Sequence, residues 1–337
     1  MKIVAGIMPV IYKSLKIDKN LERAGHEVKI FFTEDFSLQC SYAAKKLDEL
    51  GFHSARNKYN SNKFNELFQT LKGFNPEALI FFDLVYSMFT VEQIRDIGEF
   101  CRNNHCKFIA YFVDPLKKQP QVRKYLQYFD RVFSYDHADC RNFSMEYCPV
   151  GYSFEYENVI FQLEREIDLV FIGSPWKSRL TYFEPLAKYA LKSGKRFEFY
   201  GPIAQSRYFW KRGIIAMKYP HVSKCIINRR VTPESAAEIY SRSKICLNLH
   251  IPNTVSPNPR TFEILATGSF ELVDERENYA ELLPGTDLAT FNSPENLIER
   301  AEYFLNHEEE RIEIARNGHK KVVPEFRLAN CLERILK

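Results

Sequence analysis

The stretch NPRTFEILATGSFELVDE, residues 258–275, has the pattern of a helix followed directly by a strand. Arg260 and Glu263 stand at the head of an apolar, helix-like run. The small residues 266–268 and the strand-like run FELV follow. Charged groups at the start of a buried segment are costly unless something pairs with them. The stretch therefore predicts one helix–strand unit of an α/β fold, with two charged side chains that need a partner.

The same alternation of strand-like and helix-like runs extends on both sides of this stretch. Amphipathic runs such as SLKIDKNLERAGHEV separate the strand-like runs KIVAGIM, KIFFT, ALIFFD, KFIAYFVD, RVFSYD, DLVFIGS, RFEFYG and ICLNLH. Strands that alternate with helices in this way form parallel, doubly wound sheets. The sequence therefore predicts an α/β protein.

The length of 337 residues suits two domains of about 150 residues each. The alternation pauses near Pro149 and Gly151, within CPVGYSFEYEN. We expect an N-terminal domain over residues 1–150, a C-terminal domain over 151–322, and a final helix over 323–337.

Composition disfavours several classes of protein. The hydrophobic fraction of 45% is that of a globular chain, and a net charge of +4 without a basic tail does not favour a nucleic-acid partner. The eight cysteines lack metal-binding spacing, which favours reduced thiols in the cytoplasm. Pro9 and Lys13 interrupt the N-terminal apolar run, and no run of about 18 apolar residues occurs, so we expect neither a signal peptide nor a membrane-spanning helix.

Signatures of common cofactor and metal sites are absent from the sequence. It has no G-x-G-x-x-G, P-loop, G-x-S-x-G, D-x-D or H-E-x-x-H pattern, so we predict no cofactor and no metal. A phosphate site is indicated instead where FIGSPWKSR follows a strand and opens a helix. Gly173 and Ser174 would expose backbone N–H groups there, and Lys177 and Arg179 would add positive charge.

Polar residues at the ends of predicted strands are further candidates. Asp83, Asp114 and Asp136 each end an apolar strand, and ligands of doubly wound sheets bind beyond those ends. Each aspartate could instead cap a helix or stabilise a turn. On the later strand ICLNLH, Asn248 and His250 share one face. His250 could contact a phosphate or a sugar, or be structural.

Three longer segments together resemble the glycosyl transferases group 1 family, in particular its CgeB-like branch. They are VTPESAAEIYSRSKICLNLH, NPRTFEILATGSFELVDE and LATFNSPENLIERAEYFLNHEEERIEIARNGHKKV, and they match along most of residues 168–322. The first half resembles the family's partner domain more loosely, through LERAGHEV, AYFVDP and FDRVFSYDHAD. The resemblance implies a GT-B fold, in which two Rossmann-like domains face a cleft and the C-terminal helix crosses back to the first domain.

The resemblance also implies roles for individual residues. Glu263 would bind the ribose hydroxyls of a donor nucleotide, and the helix start near Asn258 would offer N–H groups to its diphosphate. Arg260 would hold the phosphate or fix Glu263; the alternative is a buried Arg260–Glu263 pair that is only structural. The predicted nucleotide-sugar site comprises Gly173, Ser174, Arg179, Asn248, Asn258, Arg260, Thr261 and Glu263, and the catalytic candidates are Asp114 and His250.

The glutamates Glu263 and Glu271 have the E-x7-E spacing of retaining relatives. In those relatives the second glutamate precedes the small-residue end of the helix, which aligns it with Glu263 and places the first at Val255. We therefore interpret the Glu271 match as coincidental. The missing first glutamate leaves the stereochemistry open: inversion would need a base, for which Asp114 is the candidate, and retention would suggest a front-face route.

These features predict a metal-independent glycosyltransferase. It would move a sugar from a nucleotide diphosphate sugar to a glycan, lipid-linked or protein acceptor in bacterial cell-surface polysaccharide or glycoconjugate biosynthesis. The alternatives are a non-catalytic nucleotide-sugar-binding or structural spore or surface protein, and a nucleotide-sugar epimerase. Residues 202–230 mix aromatic and basic residues without an acid, which predicts either peripheral contact with the inner membrane or an ordinary solvated surface.

Overall fold

The chain divides at residue 150 into two units, each built around its own sheet. The computed structural model describes all residues except 35, 84–87, 117–119, 158–163, 204–209 and 253. The first unit comprises Met1–Val150 together with Leu328–Lys337, and the second comprises Gly151–Arg327.

Six parallel strands form the sheet of the first unit. They are β1 (Lys2–Ile7), β2 (Glu27–Phe32), β3 (Ala78–Phe82), β4 (Lys107–Phe112), β5 (Arg131–Ser134) and β6 (Glu146–Tyr147). Their order across the sheet is β2-β1-β3-β4-β5-β6, and in the register Ile3 of β1 lies between Val28 and Ala78. The order reverses between β1 and β3, as in a doubly wound sheet.

Helices cover both faces of this sheet. They are α1 (Pro9–Leu15), α2 (Ile17–Arg23), α3 (Phe36–Gln39), α4 (Tyr42–Glu49), α5 (Ser54–Phe74), α6 (Val91–Asn103), α7 (His137–Phe143) and the C-terminal helix (Leu328–Leu336). Phe81 packs with α5 and α6 in one core. Its neighbours Ile80 and Phe82 pack with α1, α2 and the C-terminal helix in the other, because successive strand residues point to opposite faces.

The C-terminal helix is bound to the first unit by an apolar face and by polar contacts. Cys331 and Leu332 are fully buried in its core. Lys107 reaches the carbonyl oxygen of Lys337 at 3.3 Å, and His26 contacts Glu333. The helix begins at residue 328 rather than near 323, because the preceding helix continues through Pro324.

The second unit repeats the architecture of the first. Its parallel strands are β7 (Ile167–Ile172), β8 (Phe197–Tyr200), β9 (Ile226–Ile227), β10 (Ser243–Asn248), β11 (Glu271–Asp274) and β12 (Ala289–Phe291), in the order β12-β11-β10-β7-β8-β9. Its helices are α8 (Lys177–Lys192), α9 (Trp210–Lys218), α10 (Val222–Cys225), α11 (Pro233–Ser241), α12 (Pro259–Ala266), α13 (Pro294–Asn306) and α14 (Glu308–Glu325).

The strand order of the second unit reverses between β7 and β10. In such sheets the ligand crevice lies beyond the carboxyl ends of the two strands at the reversal. Ile245 and Leu247 of β10 point into the core formed with α8 and α13. Asn248 therefore faces the other side of the sheet, where it bonds to Thr261 of α12.

The predicted doubly wound α/β architecture is confirmed, with local departures. The run predicted as one helix from SLKIDKNLERAGHEV is divided at Lys16, whose left-handed backbone (φ 42°) separates α1 from α2. The strands β6, β9 and β12 have two, two and three residues, too few to show a period in the sequence.

Candidate functional site

Two glycines shape the loop that follows β7. A Cβ atom on Gly173 would lie 2.9 Å from the Phe171 ring, and one on Gly201 would lie 2.1 Å from the carbonyl oxygen of Gly173. Both positions therefore exclude a side chain. Gly173 and Ser174 lie in the loop itself, since α8 begins only at Lys177.

Arg179 extends from the first turn of α8 beneath this loop. It is 7% exposed, and it donates to the carbonyl oxygens of Ser174 and Leu249, each at 3.2 Å. Its guanidinium lies 5.1 Å from the centre of the Phe171 ring. Burial, and then the charge of Arg260, lower the pKa of Arg179 to about 9. The side chain is thus a buried cation bound by neutral partners.

Arg260 approaches the same ring from the first turn of α12. Its guanidinium lies 5.5 Å from the Phe171 centre, and its Nη1 donates to Oδ1 of Asn248 at 3.3 Å. Its buried Nε has no hydrogen-bond partner. Among the described residues, no carboxylate lies within ion-pair distance of Arg179 or Arg260. The two arginines therefore concentrate positive charge beside this ring, and Glu263 and Glu271 attract Arg260 without forming a direct ion pair with it.

The start of α12 is fixed by two asparagines. Oδ1 of Asn258, the N-cap residue, accepts from the backbone N–H of Arg260 at 3.0 Å. The amides of Asn248 and Asn258 also exchange two hydrogen bonds, both of 3.1 Å. This pairing joins the end of β10 to the start of α12, at the strand-order reversal.

His250 supports this helix start from behind. Its Nε2 accepts from the backbone N–H of Asn258 at 3.0 Å, so the ring proton lies on Nδ1, which donates to Asp274 at 2.7 Å. The side chain of His250 is almost fully buried. Because both ring nitrogens are engaged, this geometry suits a positioning role better than the direct contact with a phosphate or a sugar considered from the sequence.

Glu271 lies at the centre of the network beneath α12. It is fully buried, and its Oε1 accepts from Asn248 and from the Thr261 hydroxyl, each at 2.9 Å. Its Oε2 has no hydrogen-bond partner. Burial raises the pKa of Glu271 to about 7. The sequence holds one signal for this residue, a carboxylate within the apolar strand FELV, although we interpret its E-x7-E match as coincidental.

Glu263 lies one turn further along α12 and is partly buried. Burial raises the pKa of its carboxyl group, while the charge of Arg260 and a hydrogen bond from Tyr156 lower it. Tyr240 is also buried nearby, and its hydroxyl lies close to Arg260. Arg260 and Glu263 are not within ion-pair distance of each other, which disfavours the purely structural pair. Tyr156 and Tyr240 were missed because no motif links them to Glu263.

The strand-end aspartates of the first unit differ from one another. Asp136 caps α7, accepting from the backbone N–H of Ala138 at 2.7 Å, which is the structural alternative. Buried Asp83 accepts from the backbone N–H groups of Val113 at 2.9 Å and Asp114 at 3.2 Å. Burial, and then Asp114, raise the pKa of Asp83 well above its usual range. Of the three aspartates, only Asp114 has an exposed side chain.

Within the part of the chain that the structure describes, no group of three or more His, Cys, Asp and Glu side chains is arranged to hold a metal ion. No helix in that part of the chain is long and apolar enough to cross a membrane.

Solved structures with the same fold belong to the GT-B class. A glycosyltransferase from Rickettsia africae ESF-5 is 13% identical and has a TM-score of 0.66, with 99% of this chain and 97% of that chain covered. Anabaena HepE, solved with UDP and glucose, is 10% identical with a TM-score of 0.64, covering 99% and 98%. UDP-GlcNAc 2-epimerase from Neisseria meningitidis, bound to UDP-GlcNAc, is 12% identical with a TM-score of 0.59, covering 100% and 98%. The chain therefore has a GT-B fold, as predicted.

Sequence comparison confirms the predicted resemblance in the second half of the chain. Residues 179–337 match the family model described as glycosyl transferase-like. The chain is also 30% identical over 122 residues to the spore protein CgeB of Bacillus subtilis (strain 168), which covers 33% of this chain. The match spans 37% of the length of that curated relative, so it supports the CgeB-like branch over one stretch only.

Proposed function

We propose that the protein is a glycosyltransferase that uses a nucleotide diphosphate sugar as its donor. The observation that carries the proposal is the pair Arg179 and Arg260, two guanidiniums that adjoin the Phe171 ring and the start of α12. Arg179 is buried and Arg260 is partly buried beside it, so the two like charges repel each other, and a bound anion would relieve that cost. HepE was solved with UDP, which suggests a nucleoside diphosphate as the anion for this chain.

The donor would lie across the start of α12 and the Gly173–Ser174 loop. Backbone N–H groups at a helix start and the helix dipole attract phosphate. Arg179 and Arg260 would add charge-assisted hydrogen bonds. Glu263, one turn along the same helix, would accept hydrogen bonds from the ribose hydroxyls.

Transfer breaks the bond between the anomeric carbon and the diphosphate oxygen, so negative charge develops on the leaving diphosphate. Cations and N–H groups that are already oriented toward that charge lower the barrier. Arg179 is fixed by two backbone carbonyls, and Arg260 is held by Asn248, so neither must reorganise during the reaction. We expect these two arginines to stabilise the leaving group without a metal ion.

We propose that the first unit binds the acceptor. If the reaction inverts configuration, Asp114 is the proposed base. Its side chain is exposed beyond the carboxyl end of β4, and its backbone N–H donates to the Asp83 carboxylate. The acceptor would be a glycan, a lipid-linked sugar or a protein in cytoplasmic steps of bacterial cell-surface polysaccharide or glycoconjugate synthesis.

The test measures transfer and isomerisation in the same incubations. UDP-, GDP-, dTDP- and CMP-linked sugars are supplied with EDTA, with and without polysaccharide, lipid-linked and protein acceptors. Acceptor-dependent release of free nucleotide that Glu263→Ala reduces supports the proposal. Conversion of a nucleotide sugar into its epimer without an acceptor would assign the second candidate, an epimerase, which the Neisseria meningitidis structure represents in this fold. Nucleotide binding with neither product would indicate a non-catalytic binding or structural protein.

A further inference from the structure

Helix α9 carries an exposed apolar stripe. Trp210, Ile214 and Met217 have 50%, 40% and 75% of their surfaces exposed. At 3.6 residues per turn their spacing places them within about 60° of arc on one side of the helix. Ile215 and the following Tyr219 instead pack against the core of the second unit. The stripe therefore points away from that core.

The charge around α9 has a single sign. The chain contains no Asp or Glu from residue 199 to residue 233. Arg212, Lys218 and Lys224 in this segment are exposed, and among the described residues none of them pairs with a carboxylate. Lys218 borders the stripe on its helix, about 40° from Ile214 and about 100° from Met217. An apolar stripe beside unpaired cations is complementary to an anionic surface with an apolar interior.

We infer that the exposed face of α9 binds the surface of a membrane that contains anionic phospholipid. Met217, Ile214 and Trp210 would enter the boundary between headgroups and acyl chains, where tryptophan is favoured. Lys218 would remain at the headgroups and pair with phosphate. This binding is independent of sugar transfer and needs no nucleotide sugar.

A second exposed apolar patch lies in the first unit and provides a competing surface. It comprises Tyr42, Leu47, Leu50 and Phe52, which are 77%, 51%, 73% and 67% exposed. Its charges are balanced, because Lys45 and Lys46 are offset by Asp48 and Glu49 within residues 42–52, and Lys46 pairs with Glu49 at 2.7 Å. The patch therefore lacks the net positive charge that distinguishes α9.

The experiment is sedimentation of the full chain with lipid vesicles. One set contains phosphatidylcholine alone, and the other contains equal parts phosphatidylcholine and phosphatidylglycerol. The variants are Met217→Glu, which places a charge in the stripe, and Lys218→Glu, which reverses the neighbouring cation. Leu50→Glu is the matched control in the competing patch, and all three positions are exposed, so folding should be preserved.

The wild type should bind the anionic vesicles, and added salt should weaken that binding. Since each basic residue near such a surface contributes about fivefold to partitioning, Lys218→Glu should lower it on the order of tenfold or more. Met217→Glu should lower it at least as much, and Leu50→Glu should leave it unchanged. Failure of the folded wild type to bind anionic vesicles, equal binding to both vesicle types, or a loss confined to Leu50→Glu would each overturn the inference.

Discussion

The substitution Glu271→Gln should remove a pH dependence from the stability of the second unit. The folded-state pKa of Glu271 is about 7, against 4.5 as the ordinary value. Between these values the unfolded chain loses the Glu271 proton while the folded chain retains it. The unfolded state then binds fewer protons, so wild-type stability falls as pH rises. At about 1.4 kcal/mol per pKa unit, the loss from pH 4.5 to above pH 7 totals ~3 kcal/mol.

Glutamine is neutral throughout this range, so the variant should lack this contribution. The side-chain NH2 group of the glutamine would lie where Oε2 now has no hydrogen-bond partner. Leaving those N–H groups unpaired should lower the unfolding free energy by about 1–3 kcal/mol at every pH. The diagnostic quantity is therefore the change with pH. Relative to the wild type, the variant should gain ~3 kcal/mol of unfolding free energy between pH 4.5 and pH 8.

Urea unfolding followed by tryptophan fluorescence provides the measurement. Both tryptophans, Trp176 and Trp210, lie in the second unit with Glu271, so the signal reports the relevant unit. Glu309→Gln, the same change at an exposed position of α14, is the control and should track the wild type. If the Glu271→Gln and wild-type values instead stay parallel across this pH range, the buried carboxyl does not titrate as the structure requires.

Three further substitutions test the framework of the site by chemical unfolding. Asn258→Ala removes the α12 cap and should cost about 1 kcal/mol while weakening nucleotide binding; unchanged stability would refute the capping role. Gly201→Ala would force a Cβ against the Gly173 carbonyl and should cost about 1–3 kcal/mol, whereas Gly213→Ala meets no atom within 4 Å and should cost nothing; equal effects would contradict the close approach. Arg165→Ala leaves the carbonyls of Ser243 and Gly268 without their donor and should cost about 3 kcal/mol, with nucleotide affinity unchanged in the folded protein.

The architecture could be predicted because each element carries its own period in the sequence. Apolar runs that alternate with amphipathic helices predicted both sheets, and NPRTFEILATGSFELVDE predicted α12 and β11 together. The break at Lys16 could not be predicted, since a left-handed lysine has no sequence signature. The short strands β6, β9 and β12 form because neighbouring strands pair with them. Their own residues do not specify that pairing.

Only part of the candidate site could be predicted from the sequence. Arg179, Arg260 and the asparagines were predicted from a helix start, a strand end and a family resemblance. Their setting depends on contacts between distant segments, such as Tyr156 with Glu263 and Asp274 with His250, which no local pattern contains. The supporting role of His250 likewise follows from its partners rather than from its residue type.

The most direct test of the central claim is calorimetric titration of nucleoside diphosphates into the protein and into Arg260→Gln, with EDTA present. UDP, GDP and dTDP are compared with CMP, and Arg316→Gln, an exposed arginine on α14, controls for the change in net charge. One nucleoside diphosphate should bind the wild type and Arg316→Gln alike. It should bind Arg260→Gln at least about tenfold more weakly, because a charge-assisted hydrogen bond is lost. Equal binding by Arg260→Gln, or no binding by the folded wild type, would contradict the assignment of this site.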